Sequence, residues 1–138
     1  MSRRVRTGLR LAWPALLLSA ATLPAAAQSA ACAASFTTAP AIQGRGAATA
    51  LAGATVTVQG IVVGDFEGPS PALRGFYLQD EQGDGDAATS DAIFVFNADR
   101  DEVSVGQRVR VTGTVSEFQG QTQISAQAGT LVACGSGP

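Results

Sequence analysis

The stretch Thr55-Val56-Thr57-Val58-Gln59-Gly60-Ile61-Val62-Val63 joins two β patterns at a glycine. Residues 55–59 alternate between polar and apolar side chains, which is the period of a half-buried strand. Three apolar residues follow Gly60, so we expect both faces of the chain to be buried there. A glycine between two such patterns indicates a bulge or a sharp bend. We therefore predict one long strand that bends to serve both ends of a closed barrel.

Further strand patterns follow, each bounded by residues that favour loops and turns. They cover residues 75–79, 92–96, 108–115, 121–124 and 131–133. Gln119-Gly120 separates two of them and is typical of a tight hairpin. Residues 97–105 carry no helical period, so we expect no helix there. About five strands with glycine turns predict an all-β domain, a five-stranded Greek-key barrel of the OB-fold type.

The first 27 residues have the three parts of a secretory signal peptide. Arginines precede an apolar run over residues 11–23, and Ala25-Ala26-Ala27 supplies small residues for cleavage after Ala27. A membrane-spanning anchor is the alternative, but it needs about 20 apolar residues, more than this run contains. A lipid on Cys32 is disfavoured because leucine is missing three positions before it. We therefore predict a secreted or periplasmic product with no membrane attachment.

Cleavage would leave an extended leader over residues 28–41, an OB-fold domain over residues 42–134 and a tail over residues 135–138. The leader is rich in alanine, serine, threonine and proline. Five arginines, eleven acidic residues and no lysine or histidine remain, a net charge of −6. A negative charge weakens affinity for nucleic acid, whose phosphates are bound mainly by basic side chains. The length fits one domain, and we expect a monomer.

Cys32 and Cys134 are the only cysteines and lie near the two ends of the exported chain. In an oxidising compartment this arrangement predicts a disulfide between them. Two free thiols are the alternative, which the export signal disfavours. The bond would close a loop of about 100 residues and would contribute at most roughly 4–5 kcal/mol in a chain-entropy model.

The order of motifs resembles one known family over about residues 41–134. The motifs are Ile42-Gln43-Gly44, Val56-Thr57-Val58-Gln59-Gly60-Ile61-Val62, Gly75-Phe76-Tyr77-Leu78-Gln79-Asp80, Gly83-Asp84-Gly85-Asp86, Thr89-Ser90-Asp91-Ala92-Ile93-Phe94-Val95 and Val105-Gly106-Gln107-Arg108-Val109-Arg110-Val111-Thr112-Gly113-Thr114-Val115. They are similar to the OB-fold domain at the front of bacterial secreted ExeM-type extracellular nucleases. In that family a catalytic domain of the endonuclease/exonuclease/phosphatase type follows, and it is missing before Pro138.

The resemblance implies an accessory domain that helps to hold single strands of DNA or RNA, with a separately encoded nuclease domain as a possible partner. We expect no catalysis, because the chain has no histidine to act as a general base. It also has no nucleophile beside such a base. Two alternatives stay open: a secreted carbohydrate or small-ligand module, and a truncated, non-binding remnant of a nuclease.

Aromatic residues on the second and third strands are the first candidates for binding. We predict that Tyr77, Phe94 and Phe96 face outward, partly exposed, on the face with which OB domains hold oligonucleotides. The residues between them would point into the barrel: Phe76, Leu78, Ile93 and Val95. The alternative is that Phe94 and Phe96 belong to the core.

Polar residues supply the other candidates. Arg74, Arg108 and Arg110 would hold phosphates, or would instead be surface residues paired with Glu102 or Glu117. For a carbohydrate, the outward polar residues of the fifth strand region are the better fit: Gln121, Gln123, Ser125 and Gln127.

An acidic loop is the candidate metal site. Asp80, Asp84, Asp86 and Asp91 are spaced with glycines, and carboxylate oxygens suit a hard cation such as Ca²⁺. The spacing differs from that of an EF-hand, and this loop has no glutamate at the position that closes an EF-hand. The alternative is a polar turn in which these side chains bond to the backbone.

Overall fold

The computed structural model describes residues 24–138 and shows an all-β domain with two short helices before its first strand. The elements are α1 (Ala25–Ala33), α2 (Ala39–Gln43), β1 (Thr55–Phe66), β2 (Gly75–Gln79), β3 (Ala92–Phe96), β4 (Gln107–Phe118), β5 (Gln121–Ala126) and β6 (Val132–Ser136). Most of the predicted signal peptide lies outside the described residues. Within residues 24–138 no helix is long and apolar enough to cross a membrane.

Five strands close into a barrel in the order β1-β2-β3-β5-β4 and back to β1. The first part of β1 pairs with β4 and the second part pairs with β2, with Ile61 shared between the two. β3 and β5 run parallel, whereas the other barrel pairs are antiparallel. This arrangement is the predicted five-stranded OB-fold barrel, and β6 is added beside the start of β4.

The long bent strand is present, but its bulge lies three residues beyond the glycine. The register of β1 against β2 shifts between Val62 and Gly64, so Val63 is the extra residue and is 47 % exposed. The expectation that both faces are buried here was therefore wrong for Val63. Gly60 has a different role, since a Cβ there would lie 2.3 Å from the carbonyl oxygen of Gln79. The glycine lets β1 cross close to β2.

Alternate positions of the strands fill the barrel, as the sequence pattern predicts. Phe76, Leu78, Ile93 and Val95 are all buried. The valines of β4 point inward beside them at positions 109, 111 and 115, and Ile124 of β5 completes this layer. Each fully buried side chain of this size stabilises the fold by roughly 1.5–3 kcal/mol.

The leader was predicted to be extended but forms α1 and α2 instead. Alanine, the best helix former, dominates α1. α2 starts after Thr38, whose side chain makes no cap bond. Its first backbone donor, the N–H of Ala39, bonds at 3.0 Å to Oδ2 of Asp80, a residue at the far end of β2. A remote carboxylate thus supplies the partner that a helix start needs.

The part of the leader between the two helices, residues 34–37, lies on the outer face of β1 and β4, which we call the leader wall, whereas α1 contacts β6 and α2 contacts β3. The predicted disulfide between Cys32 and Cys134 is formed and ties the leader to β6. Nη1 of Arg110 donates to the carbonyl oxygen of Ala34 at 2.8 Å, and the N–H of Thr37 donates to the carbonyl of Thr57 at 2.8 Å. The disulfide between Cys32 and Cys134 indicates an oxidising, non-cytoplasmic environment.

The predicted tail is shorter than expected. β6 continues to Ser136, so residues 135–136 of the predicted tail belong to a strand. The N–H of Gly137 also donates to the carbonyl of Gly106 at 2.9 Å. The end of the described chain is therefore held against the barrel.

Candidate binding groove

A groove of about 530 Å³ runs along the outer face of β2, β3 and β5, and we call it the groove throughout. Its floor comes from β2 and β3, one wall from β5, and its rims from the β1–β2 loop and the β4–β5 turn. Pockets that hold small ligands have volumes of roughly 300–1,000 Å³. The groove therefore has room for a short ligand.

The floor consists of the three aromatic residues that the sequence singled out. The ring centroids of Tyr77 and Phe94 are 5.1 Å apart, and Phe66 meets Tyr77 edge-on at 6.2 Å. Tyr77 and Phe96 are half-buried, as predicted, but Phe94 is only 7 % exposed. Phe94 is buried because its ring lies over Gly75, where a Cβ would be 2.6 Å from the ring. The prediction of partial exposure was therefore wrong for Phe94, which is buried as the alternative expects and offers the groove little ring surface.

The β5 wall carries uncharged polar groups. Gln121, Gln123 and Ser125 face the groove, while the residue between the last two, Ile124, is buried in the core. Nε2 of Gln121 donates to the hydroxyl of Tyr77 at 3.3 Å, which links this wall to the floor. Gln127 was grouped with these residues in the sequence analysis, but it lies beyond the end of β5 and does not line the groove.

The rims hold two apolar side chains that the sequence analysis missed. Leu73 and Phe118 line opposite edges of the groove, and each is 58 % exposed. Phe118 ends β4 beside the hairpin turn, where Gln119 and Gly120 both have positive φ. The hairpin signal at Gln119-Gly120 located the turn but not the direction in which Phe118 points from it.

Arg74 is the arginine of the predicted set that reaches the groove. Its guanidinium lies 5.2 Å from the ring centroid of Phe96, and its Nε donates to Oδ1 of Asp99 at 2.8 Å. A guanidinium over an aromatic face is attracted by the ring's electrons. Arg74 has a φ of 64°, which is rare for a residue with a side chain. Its backbone is held on both sides, because its N–H bonds to Phe66 and its carbonyl accepts from Asn97.

Arg108 and Arg110 do not join this site, contrary to the grouping that the sequence suggested. Arg108 forms a two-pronged ion pair with Glu81, and its Nη2 to Oε2 distance is 2.9 Å. Arg110 bonds to leader carbonyls and lies 3.3 Å from Oε1 of Gln59. Both arginines sit on the leader wall, on the other side of the barrel from the groove. Neither pairs with Glu102 or Glu117.

All four aspartates of the acidic loop accept hydrogen bonds or pair with a charge within the protein, in part through one another's backbone N–H groups. Asp84 accepts the N–H of Asp86 at 2.8 Å and the hydroxyl of Thr89 at 2.8 Å, and these bonds lower the pKa of its carboxyl. Asp86 pairs with Arg45, and Asp91 accepts the N–H of Asp84 at 3.2 Å. The bonds from the N–H groups of Asp84 and Asp86 are the bonds to the backbone that the polar-turn alternative predicts.

Asp80 is set apart from the other three by burial. Burial raises the pKa of its carboxyl to about 6, the N–H of Ala39 opposes this, and the nearby carboxylates of Asp91 and Asp84 add to the rise. It borders a second hollow of about 430 Å³ between the leader and the barrel, beside Phe36. The carboxyl of Asp80 joins the start of α2 to the end of β2, so this side chain helps to fix the fold of the leader.

Among residues 24–138 a different set of carboxylates comes close together. Oxygen atoms of Asp65, Glu67 and Asp101 lie within 4.8 Å of one another. Oε2 of Glu67 already accepts the N–H groups of Glu102 at 2.7 Å and Val103 at 2.9 Å. This side chain therefore holds the loop before β4 against the end of β1.

Comparison of the chain with protein-family models, with curated proteins and with solved structures finds no match. The groove's own geometry therefore carries the functional argument.

Proposed function

We propose that this chain is a binding module whose groove holds a short stretch of single-stranded DNA or RNA and that it catalyses no reaction. The position of the groove supports this. OB-fold domains hold oligonucleotides and oligosaccharides on the face of their second and third strands and on the loops beside it. Here the floor lies on β2 and β3. The two rims come from the β1–β2 loop and the β4–β5 turn, which are the loops beside that face.

The observation that carries the proposal is the pair of exposed apolar rims around an aromatic floor. Phe118 and Tyr77 present ring surface to the groove, and Leu73 stands at its other edge. Unpaired bases stack on such side chains for roughly 1–3 kcal/mol each.

A secreted or periplasmic setting suits this role. The disulfide between Cys32 and Cys134 supports export from the cytoplasm. Free nucleic acid outside the cell would be the target. In this setting the module would bring a strand to a nuclease encoded elsewhere, which is the partnership that the family resemblance suggests.

Phe118 offers the clearest test, because it is exposed and its removal leaves the core intact. Phe118→Ala should weaken binding of a fluorescently labelled single strand about tenfold in an anisotropy titration. The matched control is Phe36→Ala, which removes another exposed phenylalanine, on the leader wall. Equal affinity of the two variants, or no binding by the native protein at low salt, would contradict the proposal.

A short oligosaccharide is the second candidate ligand. The amide and hydroxyl groups of Gln121, Gln123 and Ser125 opposite an aromatic floor favour it, since sugars combine apolar ring faces with many hydroxyls. A glycan array separates the candidates. A glycan whose affinity falls in Phe118→Ala, together with no affinity for any single strand, would replace the first candidate with this one.

A further inference from the structure

We propose that the groove recognises unpaired bases rather than the sugar–phosphate backbone, with Gln123 as a residue that determines base preference and Arg74 as the contact for a single phosphate. This inference rests on the proposed function and specifies the chemistry of that same site. It follows from which polar groups in the groove are already bonded to the protein and which are not.

The groove offers little positive charge to a phosphate chain. Its lining contains one cationic side chain, Arg74, and the Nε of that side chain is already bonded to Asp99. Its remaining guanidinium donors can meet one phosphate group. Arg108 and Arg110, the other candidates for phosphate contact, are bonded to Glu81 and to the leader on the far wall. A strand in the groove would therefore lose few counterions on binding.

The groove does offer hydrogen bonds to a flat, uncharged group. Gln121 is bonded to Tyr77, whereas the side chains of Gln123 and Ser125 make no hydrogen bond to any residue of the described range 24–138. The register places Gln123 beside Phe94 and Ser125 beside Phe96 in the parallel β3–β5 pair. Both polar groups therefore border the aromatic floor.

This placement suits a base edge. A base that lies against the floor between Tyr77 and Phe118 would turn its edge towards the β5 wall, where Gln123 stands. A glutamine amide carries both donors and acceptors, so it can pair with the edge of a base in two places. Side chains that pair in this way discriminate between bases, because a wrong edge leaves the amide without its partners.

The first experiment separates bases from backbone. The native protein is titrated with a short oligothymidylate and with an abasic strand of equal length, over a tenfold range of salt concentration. The abasic strand should bind at least about tenfold more weakly, because it cannot stack. For the oligothymidylate, log affinity against log salt should have a slope no steeper than about −0.7, the value for one phosphate on a single strand.

The second experiment tests Gln123. Affinities for the four homo-oligonucleotides are compared among the native protein, Gln123→Ala and the matched control Gln127→Ala, which removes the same amide just outside the groove. Gln123→Ala should reduce the native ratio between the best and the worst base about fivefold or more. Gln127→Ala should leave the ratio unchanged.

The outcomes keep this inference apart from the proposed function. An abasic strand that binds as tightly as oligothymidylate, or a salt slope steeper than about −2, would overturn base recognition while nucleic-acid binding stands. Unchanged base ratios in Gln123→Ala would overturn the role of that residue. Failure of every strand to bind would remove the proposed function itself.

Discussion

The groove and the leader wall lie on opposite sides of the barrel, and their polar side chains are used differently. On the leader wall, Arg108 and Arg110 bond to groups of the same chain, and beside it, at the end of β2, Asp80 holds the first donor of α2. In the groove, Gln123 and Ser125 face open space. The charged side chains of the leader wall thus support the fold, whereas the amide of Gln123 and the hydroxyl of Ser125 are free for a ligand. In a small barrel, the bonds a polar group already has say more about its role than its charge does.

The largest change to the leader wall should come from cutting its covalent link. Replacing Cys32 and Cys134 together by serine should lower the free energy of unfolding by about 2–4 kcal/mol, because the unfolded chain regains the freedom of a long loop. Urea unfolding followed by circular dichroism measures this. The native protein under reducing conditions serves as the control and should match the double variant. Retention of the native midpoint would show that the leader does not brace the barrel.

Arg110→Ala sharpens the comparison, because it removes a cation without touching the groove. The carbonyls of Ala34 and Ser35 would lose a charged donor, which should cost about 1–2 kcal/mol of stability. Affinity for a single strand should stay within twofold of the native value, whereas Arg74→Ala should lower it. The readouts are urea midpoints and anisotropy titrations of both variants. A loss of affinity in Arg110→Ala comparable to that in Arg74→Ala would return Arg110 to the binding site.

The smallest expected effect is the pH dependence that Asp80 gives to the free energy of unfolding. Its pKa is about 6 in the folded protein against an ordinary value of 3.8, so between these values the folded state binds more proton than the unfolded state. The free energy of unfolding should therefore fall as pH rises from about 4 to about 6, by on the order of 1 kcal/mol after allowance for screening by water.

Asp80→Asn should remove this part of the pH dependence. The amide oxygen of asparagine can still accept the N–H of Ala39, so α2 should stay capped. Urea midpoints of both proteins at several pH values between 4 and 7 give the comparison. The same slope in the variant as in the native protein would mean that burial of Asp80 does not set it.

Most of the fold could be predicted from local patterns in the sequence. The alternation over residues 55–59 predicted the strand in which Val58 is buried, and Gln119-Gly120 predicted the hairpin, because strand period and turn chemistry are properties of neighbouring residues. The disulfide was predictable because only two cysteines are present. The sequence predicted the bulge at Gly60, but it lies at Val63, because the position of a bulge depends on the register of β1 with β2.

The site was predictable only in part, because it depends on partners that are distant in sequence. Nothing near Arg110 in the chain indicates that it bonds to Ala34, and nothing near Ala39 indicates that Asp80 starts α2. Strand period singled out Tyr77, Phe94 and Phe96 but could not decide between an exposed and a core position for the phenylalanines, and Phe94 is buried. Phe118 was missed because its place at the rim depends on how the β4–β5 hairpin folds over β2 and β3.

The disulfide between the leader and β6 also decides how the domain can be attached to something else. Cys32 and Cys134 bring the two ends of the barrel's chain to one place, beside β4 and away from β3. A surface or a fused protein attached near either cysteine would therefore lie on the side of β4 and β6. The groove would then face away from the point of attachment and stay open to solvent.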